Sequence, residues 1–165
     1  MKLAVVFFAP NNKPTPITEK IVESLTQQQA TVEYIQVQAI PETVSKRFFG
    51  MKKKQQLKLV STKTDLSEYD GVFFGSTVEG MMPKRKLPPE MELFLKECKG
   101  IESKKVAVFL TAFGMAGTVP QKISSILATR SVTVVTSKVF TFLVNFSPEQ
   151  LKNAREFAVD GYKQF

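Results

Sequence analysis

Three unbroken apolar runs of strand length punctuate the chain: Leu3 to Phe8, Gly71 to Gly75 (GVFFG) and Val106 to Leu110 (VAVFL). They are rich in valine and phenylalanine and lie between segments whose apolar residues recur with helical period. A strand that is apolar on both faces is covered on both faces, so these three read as the centre of a parallel sheet. Two further runs, TVEYIQVQ from Thr31 and SVTVVTSKVF from Ser131, mix polar and apolar residues in near alternation. That pattern suits strands with one partly wet side and predicts the two edges of the sheet. The five strands are expected to start near Lys2, Thr31, Gly71, Lys105 and Val132.

Helix starts are marked between the strands. Thr15 can cap a helix with Pro16 at its first position, and Ile17, Ile21, Val22 and Leu25 form one apolar stripe. Pro89 opens a helix carrying Met91, Phe94, Leu95 and Cys98 on one side, and Pro120 opens another with Ile123, Ile126 and Leu127. In SPEQ, Ser147 and Gln150 have the spacing of a capping box, ahead of the inward-facing Leu151, Ala154 and Ala158. A further helix is expected after the second strand, where Val44, Phe48 and Met51 recur with helical period. Strict alternation of strand and helix predicts an α/β fold, a doubly wound parallel five-stranded sheet in three layers. Placing the second and fifth strands at the edges selects the order 2-1-3-4-5. In that order ligands bind at the carboxyl ends of the strands, where the first and third diverge, which singles out loops 9–16, 76–88 and 111–119.

With 165 residues and 43% hydrophobic content, one compact domain spanning 1–165 is expected. The apolar start MKLAVVFF is shorter than a signal-peptide core and far short of the ~20 residues of a membrane span, so a cytoplasmic protein without a transmembrane segment is expected. The single cysteine, Cys98, excludes an intrachain disulfide and reads as a small core residue. The absence of histidine removes the commonest general base and metal ligand, and no spacing supports a hydrolytic triad. Asp65, Glu68 and Asp70 read as solvated turn residues rather than a metal site, and GMAG from Gly114 lacks the glycines of a dinucleotide fingerprint. Any redox or group-transfer chemistry would therefore belong to a bound cofactor.

From Asp65, DLSEYDGVFFGSTVEGMMPKRKLPPEMELFLKE resembles the third-strand segment of the flavodoxin family. There an acidic-aromatic-Asp lead-in precedes an apolar strand, a Gly-Ser-Pro-Val-Tyr-Gly-like turn and a helix ending in Phe-Leu. KKVAVFLTAFGMAGTVPQKISSIL, from Lys104, is similar to the next unit, in which a Thr-Gly-Gly-Gly-like turn enters a helix. With the strand and helix at each end, the resemblance covers nearly the whole chain. It implies a flavodoxin-like fold with flavin mononucleotide (FMN) as cofactor, the first loop taking the phosphate and the other two packing around the ring. Carried over residue by residue, it implies that Ser76, Thr77, Val78 and Gly80 of the second loop bind the cofactor with Thr111, Ala112, Phe113, Gly114 and Gly117 of the third. Glu79 departs from the pattern: it stands where another residue lines the ring, and a carboxylate there disfavours reduction to an anion. Phe113, Met81 and Met82 are expected to supply apolar cover instead.

The opening loop departs further. Aligned through ITEKI, the family's Ser/Thr-x-Thr-Gly-Asn-Thr pattern falls on Ala9 to Pro14. Ala9 replaces a hydroxyl, Asn12 the glycine, and Pro14 the last hydroxyl together with an N–H. The remaining candidate phosphate contacts are Asn11, Asn12, Lys13, Thr15 and Thr18, aided by the helix-start dipole and by asparagine's tolerance of the left-handed conformation. The N–H groups of Asn12, Lys13 and the helix start near Ile17 are expected to converge on one concavity. The other reading is an ordinary surface loop stiffened by proline, with Thr15 as a helix cap.

The formal net charge is +8, and Val44 to Thr64 carries Lys46, Arg47, Lys52, Lys53, Lys54, Lys58 and Lys63 without an acidic residue. The topology assigns this stretch to the second helix and the loop after it. Flavodoxins are acidic as a family, so this polarity points to an acidic redox partner or another anionic surface, with a solvated lysine-rich face as the plain alternative. Phe48 and Phe49 beside Arg47 resemble a stacking platform for bases, yet Phe48 also fits the helical core, and nucleic acid is not the favoured partner. Two functions of different class fit these residues. One is an FMN-binding electron-transfer protein or oxidoreductase; the other is a flavodoxin-like domain without flavin that binds partners through its basic face.

Overall fold

The structure is a computed structural model and describes residues 1–42, 56–80 and 84–165. The expected second helix and Lys46, Arg47, Phe48, Phe49, Lys52, Lys53 and Lys54 lie outside the described residues, as do Met81 and Met82. The described elements run β1 (Lys2–Phe8), α1 (Pro16–Gln27), β2 (Thr31–Gln36), β3 (Ala39–Glu42), β4 (Gln56–Leu59), β5 (Gly71–Thr77), α2 (Pro89–Glu97), β6 (Lys105–Phe113), α3 (Val119–Ala128), β7 (Thr133–Phe142) and α4 (Pro148–Gln164).

The main sheet has five parallel strands in the order β2-β1-β5-β6-β7, which is the expected 2-1-3-4-5 arrangement. Its central strands are buried almost throughout, whereas β2 and β7 are half-buried or exposed apart from Ile35 and Phe140, as edges are. α1 and α4 cover one face, where Ile17, Ile21, Leu25, Ala154, Phe157 and Ala158 pack on Leu3, Val5, Phe7, Phe73 and Phe109. α2 and α3 cover the other, where Met91, Phe94, Leu95 and Ile123 pack on Ala4, Val6, Val72, Phe74 and Val108. The result is the three-layer, flavodoxin-like α/β fold. Each fully buried aliphatic or aromatic side chain in these layers contributes roughly 1.5–3 kcal/mol.

One close approach shapes the sheet's centre. Gly75 pairs with Phe7 on one side and Phe109 on the other, and those two rings stack over it at 5.7 Å and 6°. A Cβ on Gly75 would lie 2.1 Å from Phe109 and 2.5 Å from Phe7, so only glycine leaves room for the ring pair.

The helix ends form as their sequences direct. Thr15 accepts the N–H of Thr18 at the start of α1, and Ser147 and Gln150 form a reciprocal capping box on α4. At the end of α2 the Arg130 guanidinium donates to the carbonyl oxygens of Leu95 and Cys98 and pairs with Glu102. Cys98 is buried in the α2/α3 layer, and burial pushes its thiol up to about 11.

Three details correct the sequence reading. β3 and β4 form a separate antiparallel pair between β2 and β5, so Lys58 stands exposed on a strand rather than on a helix or loop. Lys63 is not a free cation of a basic face; it pairs with Glu33 at 3.3 Å and with Glu68. Glu68 and Asp70 are not merely solvated: Glu68 also pairs with Lys2, and Asp70 accepts the Lys2 N–H at 2.6 Å. Among the described residues no helix is long and apolar enough to cross a membrane.

Candidate functional site

The loops after β1, β5 and β6 meet at the carboxyl edge of the sheet, where β1 and β5 lie side by side and their chains leave to opposite faces. The first loop is held by its own hydrogen bonds. Asn12 takes the left-handed conformation at φ 56°, and its N–H donates to the Ala9 carbonyl at 3.1 Å. The Lys13 N–H donates to Asn11 Oδ1 at 3.3 Å, and Gln36, at the end of β2, donates to Asn12 Oδ1 at 3.2 Å. Two of the N–H groups expected to converge on a ligand are thus spent inside the loop. What it leaves available is different: the exposed Lys13 side chain and a threonine pair. Thr15 Oγ1 accepts from Thr18 N and lies 3.0 Å from Thr18 Oγ1. Two hydroxyls that share one hydrogen bond keep one O–H for an outside acceptor.

The second and third loops begin in the strands themselves. Ser76 is buried and donates to the Thr77 carbonyl at 2.9 Å, while Val78 N–H donates to Thr111 O at 2.8 Å and its side chain joins the α2/α3 layer with Ala112. Thr77 and Thr111 are register partners on adjacent strands. Strand alternation from Phe73 and Phe109 puts both side chains on the α1/α4 face. Their hydroxyl oxygens are buried, and neither has a hydrogen-bond partner among the described residues. Phe113 is 53% exposed, with its ring edge-on to Phe142 at 6.0 Å. Gly114 N–H donates to the Phe142 carbonyl at 3.0 Å, which ties the third loop to the end of β7.

Glu79 and Arg85 divide the second loop. Glu79 and Lys86 form an antiparallel bridge, each N–H donating to the other's carbonyl at 3.0 Å. Glu79 lines a recess of about 370 Å³ with Phe8, Pro10, Asn12 and Val37. Arg85 reaches the third loop. Its guanidinium donates to the carbonyls of Gly80 and Phe113, spanning the second and third loops, and its buried Nε has no partner among the described residues. Gly114 and Gly117 take positive φ of 72° and 60° beside it, and a Cβ on Gly117 would come within 3.1 Å of Arg85 Cβ. Of the two third-loop glycines, Gly117 thus lies in close contact with an arginine, which the sequence reading did not single out. The signal was the triplet Lys84-Arg85-Lys86, legible only once Gly114 and Gly117 are known to lie opposite its middle residue.

No protein-family model matches the chain, and no curated protein sequence matches it. Solved structures do. The oxidised flavodoxin 1 from Bacillus cereus is 17% identical with a TM-score of 0.67, over 100% of this chain and 99% of that one. The two-electron reduced flavodoxin of Megasphaera elsdenii is 14% identical with a TM-score of 0.68, over 98% of each chain. Rubredoxin oxygen:oxidoreductase from Desulfovibrio gigas is 10% identical with a TM-score of 0.67; the match spans 99% of this chain and 35% of that one. At these identities the likeness is one of fold.

Proposed function

We propose that this protein binds FMN at the carboxyl edge of its sheet and passes electrons through it, as a cytoplasmic carrier or oxidoreductase with an acidic redox partner. The observation that carries this reading is the pair of buried, unpartnered hydroxyls of Thr77 and Thr111, side by side at the fold's ligand-binding edge. A buried hydroxyl without a partner costs about 1–3 kcal/mol, and the heteroatoms of a flavin ring are the kind of partner that would relieve it. The residues fit the group unevenly. The ring end has these hydroxyls and the half-exposed Phe113 as apolar cover. The phosphate end has Lys13, one free O–H from the Thr15–Thr18 pair and the α1 dipole, but fewer backbone donors than the family's loop. Bound FMN would supply the electron chemistry, while the chain's residues orient it and exclude water. The net charge of +8 supports an acidic partner.

Titration of the full chain with FMN and with riboflavin, followed by flavin fluorescence quenching, tests the reading. Both flavins are expected to saturate, riboflavin only slightly more weakly, and Thr77→Val and Thr111→Val are expected each to weaken binding about tenfold, the equivalent of ~1.4 kcal/mol. No saturable quenching by either flavin at high micromolar concentration would refute it. That outcome would favour the second reading, a flavin-free binding module, for which the internally spent N–H groups of Asn12 and Lys13 speak.

A further inference from the structure

Glu79 and Arg85, two of the four ionisable side chains of the second loop, carry opposite charges. The sequence places Glu79 where a ring contact is expected, and a carboxylate there opposes reduction of a flavin to its anion. Glu79 lines the recess with Pro10 and Asn12, and it is Arg85 that stands against the third loop. The arginine is firmly placed. Its guanidinium is anchored by one carbonyl from each loop, Gly80 and Phe113, and its Cβ rests against the space left by Gly117. An arginine keeps its proton at any working pH, so the charge is permanent. Its buried Nε–H is a donor still without an acceptor among the described residues.

We propose that Arg85 sets the redox preference of this site: by fixing a positive charge between the two ring-binding loops, it makes the protein bind the reduced, anionic flavin more tightly than the oxidised, neutral one. This rests on the flavin reading above. Oxidised flavin takes two electrons from an external donor and one proton from solvent, and the ring is then left with one negative charge. A fixed cation beside the ring stabilises that product and leaves the neutral oxidised ring nearly untouched. The ratio of the two affinities is the shift in midpoint potential relative to free FMN. Arg85 is a positioning residue as well, since the same guanidinium holds the loops at their spacing, and the two roles are separable by charge.

The experiment measures the midpoint potential of the FMN-loaded full chain, reduced stepwise with dithionite against a reference dye in mildly alkaline buffer. The wild type is expected to lie above free FMN. Arg85→Met is expected to lower the ratio of reduced to oxidised affinity at least tenfold, about 30 mV for a two-electron couple. Arg85→Lys keeps the charge but loses the two-carbonyl fork, and is expected to retain most of the wild-type potential even where both affinities fall. Glu79→Gln, which leaves the Arg85 charge in place, is expected to move the ratio less than about threefold. A wild-type potential below that of free FMN would overturn the proposal, as would a ratio unchanged in Arg85→Met or lowered equally in Arg85→Lys. These outcomes leave the flavin reading standing, because each requires bound flavin; a wild type that binds no flavin refutes that reading first, and this inference with it.

Discussion

Replacing Gly75 by alanine should destabilise the whole domain, because the site has no slack. The added Cβ would sit 2.1 Å from Phe109 Cζ and 2.5 Å from Phe7 Cδ2. Carbon atoms settle at about 3.5 Å or more, so the rings must retreat by roughly 1.4 Å and 1.0 Å. Neither has anywhere to go: both are fully buried, they stack on one another, and Phe109 is met from the helix side by Phe157 at 6.2 Å. Overpacking of this kind costs about 1–3 kcal/mol, while alanine's smaller unfolded-state entropy returns about 0.4–1 kcal/mol. With both rings blocked the overpacking cost lies at the top of that range, so a net loss of about 2 kcal/mol follows, or a fall in melting temperature of roughly 4–8 °C for a domain of this size. Urea unfolding should show a lower midpoint with an unchanged slope. In a Phe109→Leu background the same substitution should cost less than about 1 kcal/mol, giving a coupling of at least ~1 kcal/mol. A loss below about 0.5 kcal/mol in the wild type, or equal losses in both backgrounds, would refute the packing argument.

Two further outcomes follow from the charged and reactive groups. Cys98, its thiol held at about 11 by burial, should be inert to a thiol reagent in the native protein at neutral pH and react only as urea unfolds the chain; native labelling at the rate of a free thiol would contradict this. Hydrogen bonds from Lys2 and then Lys63 hold the Glu68 carboxyl below the usual glutamate value, so the unfolded chain binds its proton first as the pH falls. The stability this contributes is present above the ordinary glutamate value and is lost as pH drops through the folded one, so Glu68→Gln should flatten the decline in urea midpoint between about pH 5 and pH 3. An equally steep decline in the variant would show that the two lysines do not act through this carboxylate.

The sheet was legible because burial on both faces leaves an unmistakable mark. GVFFG and VAVFL have no polar face to offer water, so they had to be central, and the alternating runs had to be edges. Thr15 and Ser147 were legible because a cap acts over three residues. The β3–β4 pair was not, since two four-residue strands with Pro41 in one of them carry no period to read. Lys63 looked free in a run without acidic residues, yet its partners Glu33 and Glu68 come from other parts of the fold. At the candidate site the failure has the same root. Motif comparison located the loops, but which residue of the second loop meets the third depends on the pairing of Glu79 with Lys86, seven positions away.

That pairing makes the kind of cation at the third loop, rather than its sign, a matter of register. Across an antiparallel bridge successive residues point alternately to the two sides, so Glu79 and Lys86 share one side and Gly80 and Arg85 the other. Were the returning strand to slip by one residue, every side chain on it would change sides. Such a slip would set Lys84 or Lys86 opposite Gly80 in place of Arg85, keeping the positive charge but losing the fork that grips the carbonyls of both loops.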